Sequence, residues 1–209
     1  MGLFDSIQNQ ASSSLRQTTR STTGEATGAT GQAAVNIAGG GNKSLSVTFF
    51  SIPTTLAEFA ALPQAALRTP ADTAAMCIIA LCAYKHNVNE CIAMMNALKG
   101  PVPMNQRDIS FLNDRMRQNS KAGFIGESYF VGATPQNEYT PSQPYTIIVS
   151  ENPYSYDQQG YVKLFIKSGG ADSGRPITMR QAKDGRWYLW EYSSMLLDIR
   201  APESTNPWA

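Results

Sequence analysis

Acids, arginines and tryptophans are interspersed within residues 172–200, and these side chains are the best suited to chemistry in the chain. They are Asp172, Arg175, Arg180, Trp187, Trp190, Glu191, Asp198 and Arg200. Arginine binds a carboxylate or a phosphate through two parallel hydrogen bonds, and tryptophan is an effective anchor at interfaces. On adjacent strands these residues would form a recognition surface for a protein partner or a small ligand. The alternative is that the acids and arginines pair with one another and fix the strand register and the C-terminal tail.

Acid catalysis is the second hypothesis for the same region. Asp172, Glu191 and Asp198 are the grouped carboxyls available to a hydrolase or a transferase. Two catalytic carboxyls must face one cleft, and nothing in the sequence shows that any two of these acids converge. The sequence therefore assigns no catalytic residue, and a non-catalytic interaction or ligand-binding module is the favoured interpretation.

Histidine and cysteine chemistry is poorly supported. A Ser-His-Asp or Cys-His site would need His86, which is the single histidine. His86 precedes the helix-capping Asn87, and a cation at the end of the preceding helix is better explained as complementing the helix dipole. The three cysteines, Cys77, Cys82 and Cys91, are spaced by five and nine residues, which matches no zinc pattern. Their apolar helical context is typical of buried free thiols in a reducing compartment. We therefore predict no metal site.

Nucleotides and nucleic acids are also disfavoured. Residues 39–44 resemble a phosphate-binding loop, but Asn42 replaces the glycine before the lysine and Ile37 replaces the first glycine. No GxGxxG turn links a strand to a helix, so we expect no cofactor. The net charge is +1, and no segment of the chain carries the basic excess of a protein that binds phosphate backbones.

Residues 1–43 consist mainly of small and polar side chains, which predicts a flexible low-complexity N-terminal tail. Leu3, Phe4, Ile7 and Leu15 fit one side of a short helix, so a docking or membrane-touching peptide is the alternative to a solvated tail. The first six residues also match the myristoylation pattern. A secretory signal is not evident, and the longest low-polarity run, residues 73–84, is shorter than the ~20 residues of a membrane span. We expect a cytoplasmic protein.

Residues 44–209 are predicted to form a single α+β domain. A strand at residues 45–52 precedes four helices, whose starts are marked by the capping residues Thr55, Thr69, Asn87 and Asn105. A short strand is expected at residues 128–131. Four more strands are expected at residues 145–150, 161–167, 176–181 and 186–192, and their short linkers make neighbours antiparallel. This pattern predicts about four helices packed on one face of an antiparallel meander sheet of about five strands.

Alternation along the second of these four strands places Val162, Leu164 and Ile166 on one face of the sheet. The helices are expected to cover that face. The opposite face, with Tyr161, Lys163, Phe165 and Arg180, is the candidate binding face. Which of Trp187 and Trp190 lies on it is not settled by the sequence.

Several short motifs resemble an uncharacterised bacterial family that is described as a domain of unknown function and occurs as single-domain proteins. They are IPTTLAE (52–58), KGP (99–101), SYFVGATP (128–135), YTP (139–141), SGGADS (168–173), WYLWE (187–191), DIR (198–200) and PWA (207–209). The similarity covers roughly residues 45–209. It implies one compact intracellular domain and supplies no mechanism.

Overall fold

A computed structural model of the chain describes residues 33–36, 43–205 and 207–208. The proposed N-terminal helix, the myristoylation pattern and most of the glycine-rich residues 39–44 lie outside the described residues. Within the described part of the chain, no helix is long and apolar enough to cross a membrane. The fold is α+β, as the sequence predicts.

Six antiparallel strands form one sheet in simple sequential order. They are β1 (Ala33–Asn36), β2 (Ser44–Phe49), β3 (Tyr145–Ser150), β4 (Tyr161–Ile166), β5 (Arg175–Gln181) and β6 (Trp187–Glu191). Five of them correspond to predicted strands, which confirms the meander. The sixth, β1, pairs with β2 along four residues inside the segment that the sequence assigns to the tail.

Within the described ranges, four helices pack on one face of this sheet, and they begin at the predicted starts. They are α1 (Leu56–Ala60), α2 (Pro70–Ala83), α3 (Val88–Lys99) and α4 (Gln106–Arg117). Thr55, Thr69 and Asn105 each accept a hydrogen bond from the third helical residue, whose carboxylate bonds back to the cap, and Asn87 caps α3 through its side chain. These reciprocal bonds satisfy backbone donors that a helix leaves free at its N-terminus.

Helix α2 is the centre of the core. Its residues 73–83 are all buried, and it contacts every strand from β2 to β6. Buried and more exposed side chains alternate along β4, where Val162, Leu164 and Ile166 face the helices. Thr73 is buried in α2 and donates a hydrogen bond from its hydroxyl to the carbonyl of Trp187 at 2.6 Å, which joins the helix to β6.

The predicted strand at residues 128–131 is wrong. A 3₁₀ turn spans Glu127–Tyr129, and a single bridge between Phe130 and Ile147 is the one point of β pairing. Polar side chains explain the turn. Glu127 is buried and forms an ion pair with Lys85, and the buried hydroxyl of Ser128 donates to the carbonyl of Ile125 at 2.7 Å. A strand would carry these groups away from their partners.

Gly126 lies against α2 so closely that no larger residue fits. A Cβ atom at this position would come within 2.6 Å of Cys82 Sγ and 2.8 Å of its backbone nitrogen, although the φ of Gly126 is −59°, which any residue adopts. We expect Gly126→Ala to lower the free energy of unfolding by about 1–3 kcal/mol, because the segment must move off the helix. Gly123→Ala is the matched control, since a Cβ there meets no atom within 4 Å. Urea denaturation of both variants checks this, and equal stabilities would contradict it.

Buried tyrosines should make the protein sensitive to alkali. Burial raises the pKa of Tyr139 to about 12 and the pKa of Tyr129 further, and their hydroxyls donate to the carbonyls of Arg200 and Met195. A phenol with a raised pKa in the folded state stabilises the fold below its ordinary pKa of 10, and this contribution is lost as the pH rises towards 12. We therefore expect the free energy of unfolding to fall between pH 9 and 11.5.

The Tyr139→Phe variant tests the contribution of this residue. It should cost about 1 kcal/mol at pH 8, because the carbonyl of Arg200 loses its donor, and it should lessen the fall at high pH. Tyr154→Phe, at a site that is 73% exposed, should leave the pH profile unchanged. Absorbance at 295 nm follows the ionisation, and titration of Tyr139 near pH 10 in the folded protein would contradict the expectation.

Candidate functional site

The eight residues singled out in the sequence do not form one cluster. Arg175 and Arg180 both lie in β5, and they are an odd number of positions apart, so they project from opposite faces of the sheet. Five residues of strand also separate their Cα atoms by about 17 Å. The set therefore divides into a group at the start of β5 and a group at its end.

The group at the start of β5 is bonded internally. Arg200 forms an ion pair with Asp172 at 2.8 Å, and Arg175 Nη2 donates to the backbone carbonyl of Asp198 at 2.8 Å. The backbone N–H of Arg200 donates to the carbonyl of Gly170 at 2.9 Å. Asp172, Arg175, Asp198 and Arg200 thus hold the C-terminal segment against the loop before β5. Of the acids and arginines in this group, Asp172 and Arg200 pair with each other, whereas Asp198 takes part through its backbone carbonyl.

The group at the end of β5 is a stack on the face away from the helices. The guanidinium of Arg180 lies 5.3 Å from the ring centre of Tyr161 and 5.0 Å from that of Trp190. The two rings are 5.6 Å apart at an angle of 75°. Within the described part of the chain Arg180 forms no ion pair, so its hydrogen-bonding edge has no carboxylate partner.

Alternation along β6 puts Trp190 in this stack, because it directly follows the inward-facing Leu189. Thr178 pairs with Glu191 whereas Met179 pairs with Leu189, so a β-bulge lies at Trp190. The bulge bends the strand and leaves Glu191 exposed next to Trp190. Trp190 is 44% exposed, while Trp187 is packed partly buried against the core. Trp190 is therefore the tryptophan of the candidate face, and Trp187 is a core residue.

A concavity of about 680 Å³ lies on the open face beside the stack. Tyr161, Lys163 and Phe165 of β4 line its floor, and the loop before β4 forms one wall. Strands β3 and β4 pair through two residue pairs, after which the loop replaces β3, with Lys163 N–H donating to the carbonyl of Ser155 at 2.9 Å. The divergence of β3 from β4 opens the concavity.

A second hollow, of about 760 Å³, lies on the other side of the stack, between the α3–α4 loop and β6. We call it the β6 groove; Arg180, Trp190 and Glu191 line one side of it and Lys99 and residues 101–103 another. Burial raises the pKa of Glu191, but hydrogen bonds from Ser193 and the backbone of Tyr192 outweigh it and hold the pKa below its ordinary value. Glu191 is thus a carboxylate at neutral pH. Asp172 and Asp198 do not line the groove, so the three grouped acids are not brought together there.

The sequence pattern missed most of both hollows. The loop residues Tyr154 and Asp157, and the groove residues Val102 and Lys183, carry no motif, although Tyr154 and Val102 are 73% and 60% exposed. For Tyr154 and Val102, the one available indication was a large apolar side chain in a turn-rich loop. That these residues lie near Trp190 depends on how the loops return to the sheet.

Comparison with known proteins identifies a family whose function is unknown. A family model described as Domain of unknown function (DUF6935) matches residues 51–203. No curated protein and no solved structure matches the chain. The match supports the resemblance found in the sequence, and it adds no substrate, partner or mechanism.

The two arginines of β5 should differ in what they do for stability. Arg175→Met leaves the Asp198 carbonyl without its donor, so we expect a loss of about 1–3 kcal/mol in the free energy of unfolding. Arg180→Met removes cation–π contacts at an exposed site, which are worth about 1 kcal/mol or less. Methionine keeps the apolar volume in both cases. Guanidinium denaturation checks the order, and a larger loss for Arg180→Met would show that the stack is a structural element.

Proposed function

The chain belongs to the family of the Domain of unknown function (DUF6935), and we propose that it is a non-catalytic interaction module whose open sheet face binds an acidic segment of a protein partner. The observation that carries the proposal is the stack of Arg180 on Tyr161 and Trp190. Two rings hold the guanidinium in place, and its N–H groups have no carboxylate among the described residues. A carboxylate from a partner fits this arrangement, because a fixed guanidinium loses little freedom on binding.

The charge of the face supports an acidic partner. Lys163 is exposed on the same face, two positions along β4 from Tyr161 of the stack. It forms no ion pair among the described residues. Asp157 is the one acid that lines the concavity. The exposed ring of Trp190 adds the kind of aromatic anchor on which interfaces depend. An extended segment with two or more carboxylates and an apolar side chain would complement these groups.

The state of the reactive groups supports a module without catalysis. Burial raises the pKa of the Cys77, Cys82 and Cys91 thiols, Cys91 to about 12, so the nucleophilic thiolate is scarce at neutral pH. Asp172 is paired with Arg200, and Glu191 accepts from the backbone of Ser193 at 2.7 Å. The same free, buried thiols favour a reducing compartment, and we accordingly propose that the protein resides in the cytoplasm.

Fluorescence polarisation with labelled octapeptides tests the proposal. One peptide alternates glutamate with serine and carries a single phenylalanine, and its partner has glutamine in place of glutamate. We expect the glutamate peptide to bind at least tenfold more tightly, which is about 1.4 kcal/mol, at low ionic strength. The combined Lys163→Gln and Arg180→Gln variant should abolish the preference, because it removes the cation of the stack and the cation that lines the concavity.

The matched control removes two cations elsewhere. Arg68 and Arg117 are exposed, and neither lines the open face or the β6 groove. The combined Arg68→Gln and Arg117→Gln variant should therefore keep the preference for glutamate. Equal loss in both double variants would mean that net charge alone attracts the peptide, and equal binding of the two peptides by the unchanged protein would overturn the proposal.

A further inference from the structure

The β6 groove is a second concave site, on the opposite side of the stack from the open-face concavity. Its volume of about 760 Å³ is in the range of pockets that hold small organic molecules. Tyr188 and Leu189, both largely buried, form its base, and Pro101, Val102 and Pro103 form the facing wall. The ring of Trp190 closes one side. This lining offers an apolar body a place to leave water.

A glycine that no other residue can replace holds the facing wall in position. Gly100 ends α3 with φ of +59°, and a Cβ atom there would come within 2.2 Å of the Tyr188 ring. A side chain is therefore excluded twice, by the backbone conformation and by contact. Because Gly100 rests directly on Tyr188, residues 101–103 are held over β6 and the groove is a built feature of the fold.

The acids that line the groove are already occupied within the chain. Asp184 is paired with Arg186 at 2.7 Å, and Asp108 accepts from the backbone N–H of its helix cap, Asn105, at 3.1 Å. Glu191 accepts from the backbone N–H of Ser193. Each carboxylate thus has a hydrogen-bonding role in the local structure.

The cations that line the groove are not occupied in this way. Lys99, Arg180 and Lys183 form no ion pair within the residues that the structure describes. Lys99 lies 6.0 Å from the centre of the Tyr192 ring and is close enough to Glu191 to help lower its pKa, yet it has no direct carboxylate contact. The groups with free hydrogen-bonding capacity are therefore positive, and they come from three different elements: the end of α3, β5 and the β5–β6 turn.

Because the acids of the groove are bonded within the chain while its cations form no ion pair among the described residues, we propose that the β6 groove binds a small organic anion. The anion is a carboxylate on an aromatic or aliphatic body. The carboxylate binds between Lys99 and Lys183, and Arg180 contributes a third positive charge. The body packs on Leu189, Val102 and the ring of Trp190. The site is separate from the proposed peptide surface, which uses Tyr161 and Lys163; the two share only Arg180 and Trp190.

Titration with 2-naphthoate, followed by ¹H–¹⁵N NMR, tests this site. The chain has three tryptophans and therefore three indole N–H signals, which single Trp→Phe variants assign. We expect naphthoate to shift the Trp190 signal in a saturable manner and the Trp187 and Trp208 signals much less. Neutral 2-naphthamide, which has the same body, should bind at least fivefold more weakly.

Variants separate this proposal from the peptide surface. The combined Lys99→Gln and Lys183→Gln variant should remove the preference for naphthoate over naphthamide while leaving the glutamate peptide bound as before. Lys163→Gln should weaken the preference for the glutamate peptide and leave the preference for naphthoate unchanged, and the combined Arg68→Gln and Arg117→Gln variant should change neither. Equal affinity for naphthoate and naphthamide, a Trp190 signal that does not move, or a preference that survives the loss of Lys99 and Lys183 would each overturn the proposal.

Discussion

The burial of helix α2 is the constraint on which the rest of the fold depends. Its residues 73–83 lie entirely out of contact with water, and the helix crosses every strand from β2 to β6. Small side chains and Gly126 let the neighbouring segments approach its backbone, and the Thr73 hydroxyl satisfies the carbonyl of Trp187 at the sheet edge. Because α2 covers one face of the sheet, the aromatic and basic residues of the other face remain exposed.

Strand β6 connects this core to both candidate sites. Leu189 faces inward, so the next residue, Trp190, faces outward onto Arg180 and Tyr161. The same strand forms the base of the groove beneath residues 101–103. The stack of Arg180, Tyr161 and Trp190 therefore has a hollow on each side. A stack of this kind can serve two ligands, and the proposed sites differ in the cations that flank it.

Regular features of the fold were predictable from the sequence because they depend on local chemistry. Capping residues such as Thr69 and Asn105 mark helix starts by satisfying nearby backbone donors, and the alternation along β4 separates its faces. The opposite faces of Arg175 and Arg180 were not predicted, because the predicted strand began at residue 176 and both arginines were assigned to one surface. The prediction of a strand at residues 128–131 was wrong, because its apolar residues are typical of strands. The ion pair of Glu127 that favours a turn instead depends on Lys85, 42 residues earlier in the chain.

The sequence by itself determined the fold class and the order of the four helices and of five of the strands, which follow from the period of apolar residues and from capping. Only the tertiary structure decided which tryptophan is exposed, because both faces of β6 carry aromatic side chains and the packing of Leu189 against the core selects the inward face. It also decided that Asp172 pairs with Arg200 and that Arg175 bonds the backbone carbonyl of Asp198, while Arg180 forms no ion pair among the described residues. The β6 groove arises from the α3–α4 loop resting on Tyr188 through Gly100, a contact between residues 88 positions apart that no local pattern encodes.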